Sequence, residues 1–188
     1  MTKTKDRFPD AKFDVRWRPY ELNSALPKGA GVNKMEMYKQ KFGEARIQPM
    51  IDRMAKVARD VGIEMSYGGN VGNTFDSHRL VWYAFEVGGA ELQDKVINSI
   101  FKAYFEEEKC LSDHDVLKDC AERASLDAAD LLSNSELGLK ETRKEMSEFA
   151  RMNRGGVPLF IFNRKYSVSG AQESDVFIEL FEDLLSNE

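Results

Sequence analysis

The chain has 188 residues, 42% of them hydrophobic and 31% charged, with a formal net charge of −5, which fits one globular domain with room for an embedded subdomain. A net negative charge excludes a general nucleic-acid binder, which needs a basic face to neutralise phosphates, and no apolar run approaches membrane-spanning length. The opening residues Met1 to Arg7 lack the apolar core of a secretory signal, and with only two cysteines in the chain a reducing, cytoplasmic setting is expected.

Residues 1–12 read as a polar arm. Phe13 to Tyr20 then alternates apolar and polar, which predicts a strand with Phe13, Val15 and Trp17 on one face, ended by Pro19. Leu22 to Val32 is a Gly-, Pro- and Ala-containing loop. Asn33 followed by Glu36 predicts a capped helix, and Gly43 predicts its stop. The next helix is expected to start near Pro49 and end at Gly62, with Met50, Ile51, Met54, Val57, Ala58 and Val61 as its apolar stripe.

Ile63 to Asn73 is a glycine-rich connector, after which Thr74 or Asp76 caps a helix running to Val87 and closed by Gly88-Gly89. Leu92, Val96, Ile97, Ile100, Phe101, Tyr104 and Phe105 form the cleanest amphipathic stripe, spaced three and four apart. Ser112 with Asp115 opens another helix carrying Val116, Leu117, Cys120 and Ala121, and two more helical segments lie around Asp127–Ser133 and Leu139–Asn153. Leu159–Phe162, a two-residue turn at Asn163-Arg164 and a second strand to Ser169 predict a hairpin. A last helix carries Val176, Phe177, Leu180, Phe181, Leu184 and Leu185.

The order is strand, helical block, two hairpin strands, helix: an α/β pattern in which helices interrupt a thin three-stranded sheet. Pro158 stands at the first position of its strand, where the missing N–H breaks no ladder bond. A cis bond there would turn the Val157 backbone outward as a recognition edge. Because cis X–Pro bonds make up only about 5–6% of the total, the local sequence by itself favours trans.

Four stretches then carry a resemblance. They are Arg16-Trp17-Arg18-Pro19-Tyr20-Glu21-Leu22-Asn23, Gly31-Val32-Asn33-Lys34, Gly72-Asn73-Thr74-Phe75-Asp76-Ser77-His78-Arg79-Leu80, and Gly156-Val157-Pro158 through Ser169-Gly170-Ala171-Gln172. In order and spacing the chain resembles the DsbA-like thioredoxin-fold proteins, specifically the FrnE-like branch related to 2-hydroxychromene-2-carboxylate isomerases and kappa-class glutathione transferases. The resemblance implies an α/β thioredoxin-like fold over residues 13–188, with a large all-helical insertion at about residues 33–153.

It also implies that Pro158 is the cis-proline of a substrate-binding loop. The backbone of Val157 would pair with an extended peptide or glutathione, and Gly156, Val157, Pro158, Asn73, Thr74 and His78 form the candidate substrate-binding set. In the family, thiol chemistry comes from a Cys-x-x-Cys at the start of the first helix, where the helix N-terminus lowers a thiol pKa. The family pattern puts a strand, that motif and a helix ahead of the segment matching Phe13, whereas only twelve residues stand there and no Cys-x-x-Cys occurs in the chain. The isomerase and transferase branches place a serine on the same element.

An N-terminally truncated or alternatively started chain is therefore expected, inactive by itself and with no catalytic residue to name. In a thioredoxin core the first strand lies between the second and third. Its loss would open the middle of the sheet and invite homodimerisation by strand exchange.

The remaining candidates weigh as structural. Cys110 and Cys120 on one helix would stand about 15 Å apart, too far to bridge, and Cys120 falls on an apolar stripe as a small core residue. His114 beside Asp113 and Asp115 is expected to be solvated. His78 either contacts substrate or, the favoured reading, shares with Arg79 the hydrogen bonding of the insertion to the core. Three functions remain: a thiol–disulfide oxidoreductase, a non-catalytic module binding peptide or glutathione, and an isomerase or transferase relative. No cofactor or metal is expected, glutathione aside.

Overall fold

The computed structural model describes residues 6–152 and 155–186. The chain divides into two compact units, residues 16–149 and residues 1–15 with 150–188.

In the larger unit β1 (Val32–Asn33) leads directly into α1 (Lys34–Phe42). The Asn33 side chain accepts from the Glu36 N–H at 3.0 Å, the cap its spacing predicts. Gly43, at φ 85°, ends α1 by donating its N–H to Lys39 O at 2.9 Å. That same residue opens α2 (Glu44–Arg59), so α2 starts ahead of the expected Pro49 and contains it. Residues Glu44 to Gln48 include good helix formers, and the break at Gly43 lets them join. Pro49 then removes one bond in the second turn without stopping the helix. After α2 the chain closes in a Schellman pattern, with Gly62 N–H on Arg59 O at 3.0 Å and Ile63 N–H on Ala58 O at 2.9 Å.

The glycine-rich connector contains a strand that the sequence does not announce. β2 (Asn70–Val71) pairs antiparallel with β1, Val32 opposite Val71 and Asn33 opposite Asn70. The next two predicted helices follow one another directly as the two arms of α3 (Phe75–Phe105), broken at the expected glycines by Gly89, whose backbone at φ 66°, ψ −160° is not helical. Neither predicted cap acts as one. Thr74 makes no capping bond, and Asn73 Oδ1 accepts the Phe75 N–H at 3.0 Å.

Of the apolar stripe on α3, Val96, Ile97 and Ile100 are buried while Phe101 is 41% exposed. α4 (His114–Arg123) is capped by Asp113, which accepts from Asp115 N–H at 2.9 Å, and not by Ser112. α5 (Ala129–Ser133) and α6 (Leu139–Met152) follow. Leu80, Ala84 and Val96 of α3, Leu117 and Cys120 of α4 and Leu131 of α5 are completely covered and form the centre of the core.

In the smaller unit, β3 (Leu159–Phe162) and β4 (Tyr166–Ser169) form an antiparallel hairpin followed by α7 (Ser174–Ser186). Asn163 and Arg164 both have positive φ, 49° and 59°, and Lys165 donates to Phe162 O at 2.9 Å, as a type I′ turn requires. The ladder resumes only at Phe162–Tyr166, so three residues separate the paired ends instead of two. Phe160 lies edge-on to Phe177 at 4.9 Å between centroids, and Phe162 to Phe181 at 5.6 Å, so alternate residues of β3 face α7.

The predicted strand from Phe13 to Tyr20 does not form, and the described residues hold two separate two-stranded sheets rather than one of three. Alternation alone does not make a strand; a backbone partner does. At Trp17 that partner is a side chain: Gln93 Oε1 accepts the Trp17 N–H at 2.8 Å and Gln93 Nε2 donates to Trp17 O at 3.1 Å. The period of two nonetheless survives in the side chains. Arg16 and Arg18 both reach Glu145, while Trp17 packs edge-on to Phe101 at 5.8 Å. No helix among the described residues is long and apolar enough to cross a membrane.

Candidate functional site

The expected binding residues fall in both units. In the smaller one, Gly156 at φ 92° precedes the Val157–Pro158 peptide bond, which is cis. Val157 is 44% exposed. Pro158 is fixed by its carbonyl, which accepts the Gly170 N–H at 2.8 Å and closes the open end of the hairpin.

In the larger unit Asn73, Thr74 and His78 come together at the start of α3 and face the segment that precedes β1. Asn73 is 9% exposed, and its amide nitrogen donates to Glu21 Oε1 at 3.2 Å and Ser24 O at 3.1 Å while its oxygen holds the Phe75 N–H. His78 Nε2 lies 3.1 Å from Tyr20 O and 3.5 Å from Thr74 Oγ1. Donation to the carbonyl fixes the proton on Nε2 in the neutral ring. Burial disfavours the imidazolium and brings the His78 pKa down to about 4, although the Tyr20 carbonyl favours the charged form. A neutral histidine whose Nε2 is already donating is a tether rather than a proton shuttle at neutral pH.

The same helix start holds the chain together in a second direction. Arg79 is 1% exposed, and its guanidinium donates to Leu131 O at 2.9 Å, Asn134 O at 2.6 Å, Leu137 O at 2.7 Å and Asp76 Oδ1 at 2.8 Å. The carbonyls left open after the short α5 are thereby satisfied by one side chain. Burial tends to raise the Asp76 pKa, but hydrogen bonds from Arg79 and His114 and the charge of Lys28 bring it below the usual carboxylate value. His114 is therefore not simply solvated; its Nε2 is 3.0 Å from Asp76 Oδ2.

Close backbone approach explains two glycines of the matching stretches. A Cβ at Gly31 would stand 2.5 Å from Val71 O, and one at Gly72 would stand 2.9 Å from Pro27 O and 1.9 Å from the Ser112 side-chain Oγ. Ser112 in turn donates to Gly29 O at 2.6 Å. These contacts, with Lys34 N–H on Gly69 O at 3.1 Å and Asn73 N–H on Pro27 O at 2.8 Å, seam residues 27–34 to residues 69–73.

Both cysteines are free. Cys120 is fully buried beside Ser99 O at 3.8 Å, and burial pushes its thiol pKa up. Cys110 is half-buried, 3.2 Å from Ser112 Oγ. Lys34 ends one of the matching stretches, which assigns it no role; it is 2% exposed with Nζ 3.9 Å over the Tyr104 ring. Desolvation lowers its pKa against the pull of Glu108 and Cys110. Gln93 is missed too, although its spacing to Val96, Ile97 and Ile100 places an amide on an apolar face.

A family model described as a DSBA-like thioredoxin domain matches residues 1–182. The chain belongs to the DSBA-like thioredoxin family. A solved structure described as a probable DsbA oxidoreductase from Streptomyces coelicolor is similar at 27% identity and a TM-score of 0.80, over 91% of this chain and 75% of that one. Among curated proteins no significant match is found. The DSBA-like fold here is mostly helical with two small two-stranded sheets among the described residues, consistent with a thioredoxin-like fold carrying a helical insertion.

Proposed function

We propose that this DSBA-like domain belongs to the FrnE-like branch of thiol–disulfide oxidoreductases and that its residues supply the substrate-holding part of the reaction. The backbone at Val157 offers an edge to which an extended peptide, or glutathione, adds as a strand. The observation that carries this reading is the exposure of Val157 immediately ahead of β3, in a chain of this family. Asn73, Thr74 and His78 are assigned the supporting role of holding residues 20–24 against α3, because their polar atoms are engaged there.

With cysteines only at positions 110 and 120, the chain by itself should not reduce an insulin disulfide in the presence of dithiothreitol any faster than the reagent alone. Activity that disappears in Cys110→Ser would give that thiol the catalytic role and overturn the assignment. Binding is tested by following backbone amide shifts during titration with reduced glutathione and with an unfolded peptide. The expected shifts centre on residues 156–159 and vanish in Val157→Pro, which lacks the N–H. Shifts that persist unchanged in that variant, or none at millimolar ligand, would refute strand addition. Binding without disulfide chemistry in any natural form of the protein would favour the non-catalytic module.

A further inference from the structure

Helix α2 has a wider apolar face than its packing uses. Ile47 and Ala58 are 3% and 5% exposed, but Met54, Val57 and Val61 are 39%, 52% and 69% exposed. At 100° per residue, Met50, Met54 and Val57, with Val61 in the closing turn, share an arc of about 60° and run about 16 Å along the axis. Next around the helix, beyond Val57, stand Arg46 and Arg53, seven residues apart and both exposed. Neither makes an ion pair among the described residues.

The local charge runs against that of the chain. α1 and α2 together carry seven Lys and Arg against three Asp and Glu, within a chain of net charge −5. Asp60 follows Arg53 on the same side and is the one acid near this rim. A straight methionine- and valine-lined stripe with an unpaired basic edge selects a ligand of complementary shape and sign. A partner helix with anchors at i, i+3, i+4 and i+7 needs about 10 Å, so the stripe is long enough to seat them. Nucleic acid fits less well, since the stripe itself is apolar and would remain uncovered.

We propose that the exposed face of α2 is a docking surface for an acidic amphipathic helix of a partner protein, its apolar side on Met54, Val57 and Val61 and its carboxylates toward Arg46 and Arg53. The full chain is titrated by fluorescence anisotropy with a synthetic helix of leucine and glutamate in helical period, and with the matching leucine–lysine helix. The acidic probe should bind and the basic one should not. The double variant Arg46→Glu, Arg53→Glu should weaken the acidic probe by about tenfold or more and admit the basic one, and Val57→Ser should weaken the acidic probe with its charge preference intact.

All three positions are exposed, and circular dichroism on each variant checks that the fold is kept. Absence of binding by the acidic probe, equal binding of both probes, or indifference to the double variant would overturn the proposal. So would a concentration-dependent dimer that the double variant dissolves, which would give the face to a second copy. Recruitment to phosphatidylglycerol vesicles without peptide binding would give it to a lipid surface and overturn it equally.

Discussion

Replacing Gln93 with alanine removes the one side chain that stands in for a strand beside Trp17. The carboxamide accepts the Trp17 N–H, donates to Trp17 O, and donates again to Val81 O at 3.1 Å, all from a residue only 1% exposed. Three bonds at about 1 kcal/mol each and one buried methylene at about 0.8 kcal/mol predict a loss near 4 kcal/mol. Water can reach part of the Trp17 backbone, since that residue is 37% exposed, which lowers the expected loss to about 3 kcal/mol.

Gln93→Glu should be no better than alanine, because a carboxylate can take the N–H but repels both carbonyls and buries a charge. Urea denaturation of the three proteins measures the difference, and amide exchange at Trp17 locates it. In the native protein that amide should be protected, and in Gln93→Ala it should exchange freely while the amides of α4 stay protected. A change in stability under 0.5 kcal/mol with Trp17 still protected would refute the idea that this side chain takes the place of a strand partner.

Arg79→Lys should destabilise by about 3–5 kcal/mol, nearly as much as Arg79→Ala, because a single ammonium cannot span three carbonyls and a carboxylate; denaturation midpoints of the two variants decide it. For His78 the folded pKa of about 4 lies below the ordinary 6.5, so the unfolded chain takes up the proton first. Its contribution is full above pH 6.5 and is lost progressively as pH falls toward 4, by roughly 2–3 kcal/mol for this half-buried ring. His78→Gln should flatten that slope, and an imidazole that titrates near 6.5 by NMR would contradict it. A thiol reagent should label Cys110 alone in the native protein and both cysteines after unfolding, so Cys110→Ser should leave no thiol reactive before denaturation.

Local chemistry was legible wherever a residue and its neighbours in sequence decide the outcome. The Asn33–Glu36 cap, the stops at Gly43 and Gly62, and the burial of Cys120 on its stripe all follow from spacing. The hairpin after Pro158 was legible for the same reason, whereas the cis bond at Val157–Pro158 runs against the local preference for trans and was implied only by the resemblance in four stretches. What escaped depends on partners distant in the chain. Phe13–Tyr20 carries the alternation of a strand, yet its central backbone is held from 76 residues away by an amide.

β2 is two residues long, too short for any period to show, and exists because residues 69–73 meet residues 27–34. Thr74 and Asp76 look like better caps than Asn73 until the destinations of their side chains are known. Asp76 is claimed by Arg79 and His114, so the amide two places before the helix takes the work. Arg79 itself reads as an ordinary helical arginine, and only tertiary contact reveals the carbonyls waiting for it.

Adjacent residues of one helix thus anchor opposite flanks with different susceptibility to acid. Arg79 holds three neutral carbonyls besides the Asp76 carboxylate, so acid can take only the Asp76 contact from the clasp on the turn after α5. The imidazole of His78 lacks that reserve: once charged it still donates to Tyr20 O, but keeping it buried beneath that segment becomes costly. Acidification should accordingly peel away the stretch around residues 20–24 while the opposite flank of α3 remains fastened, giving the molecule a built-in order of undoing.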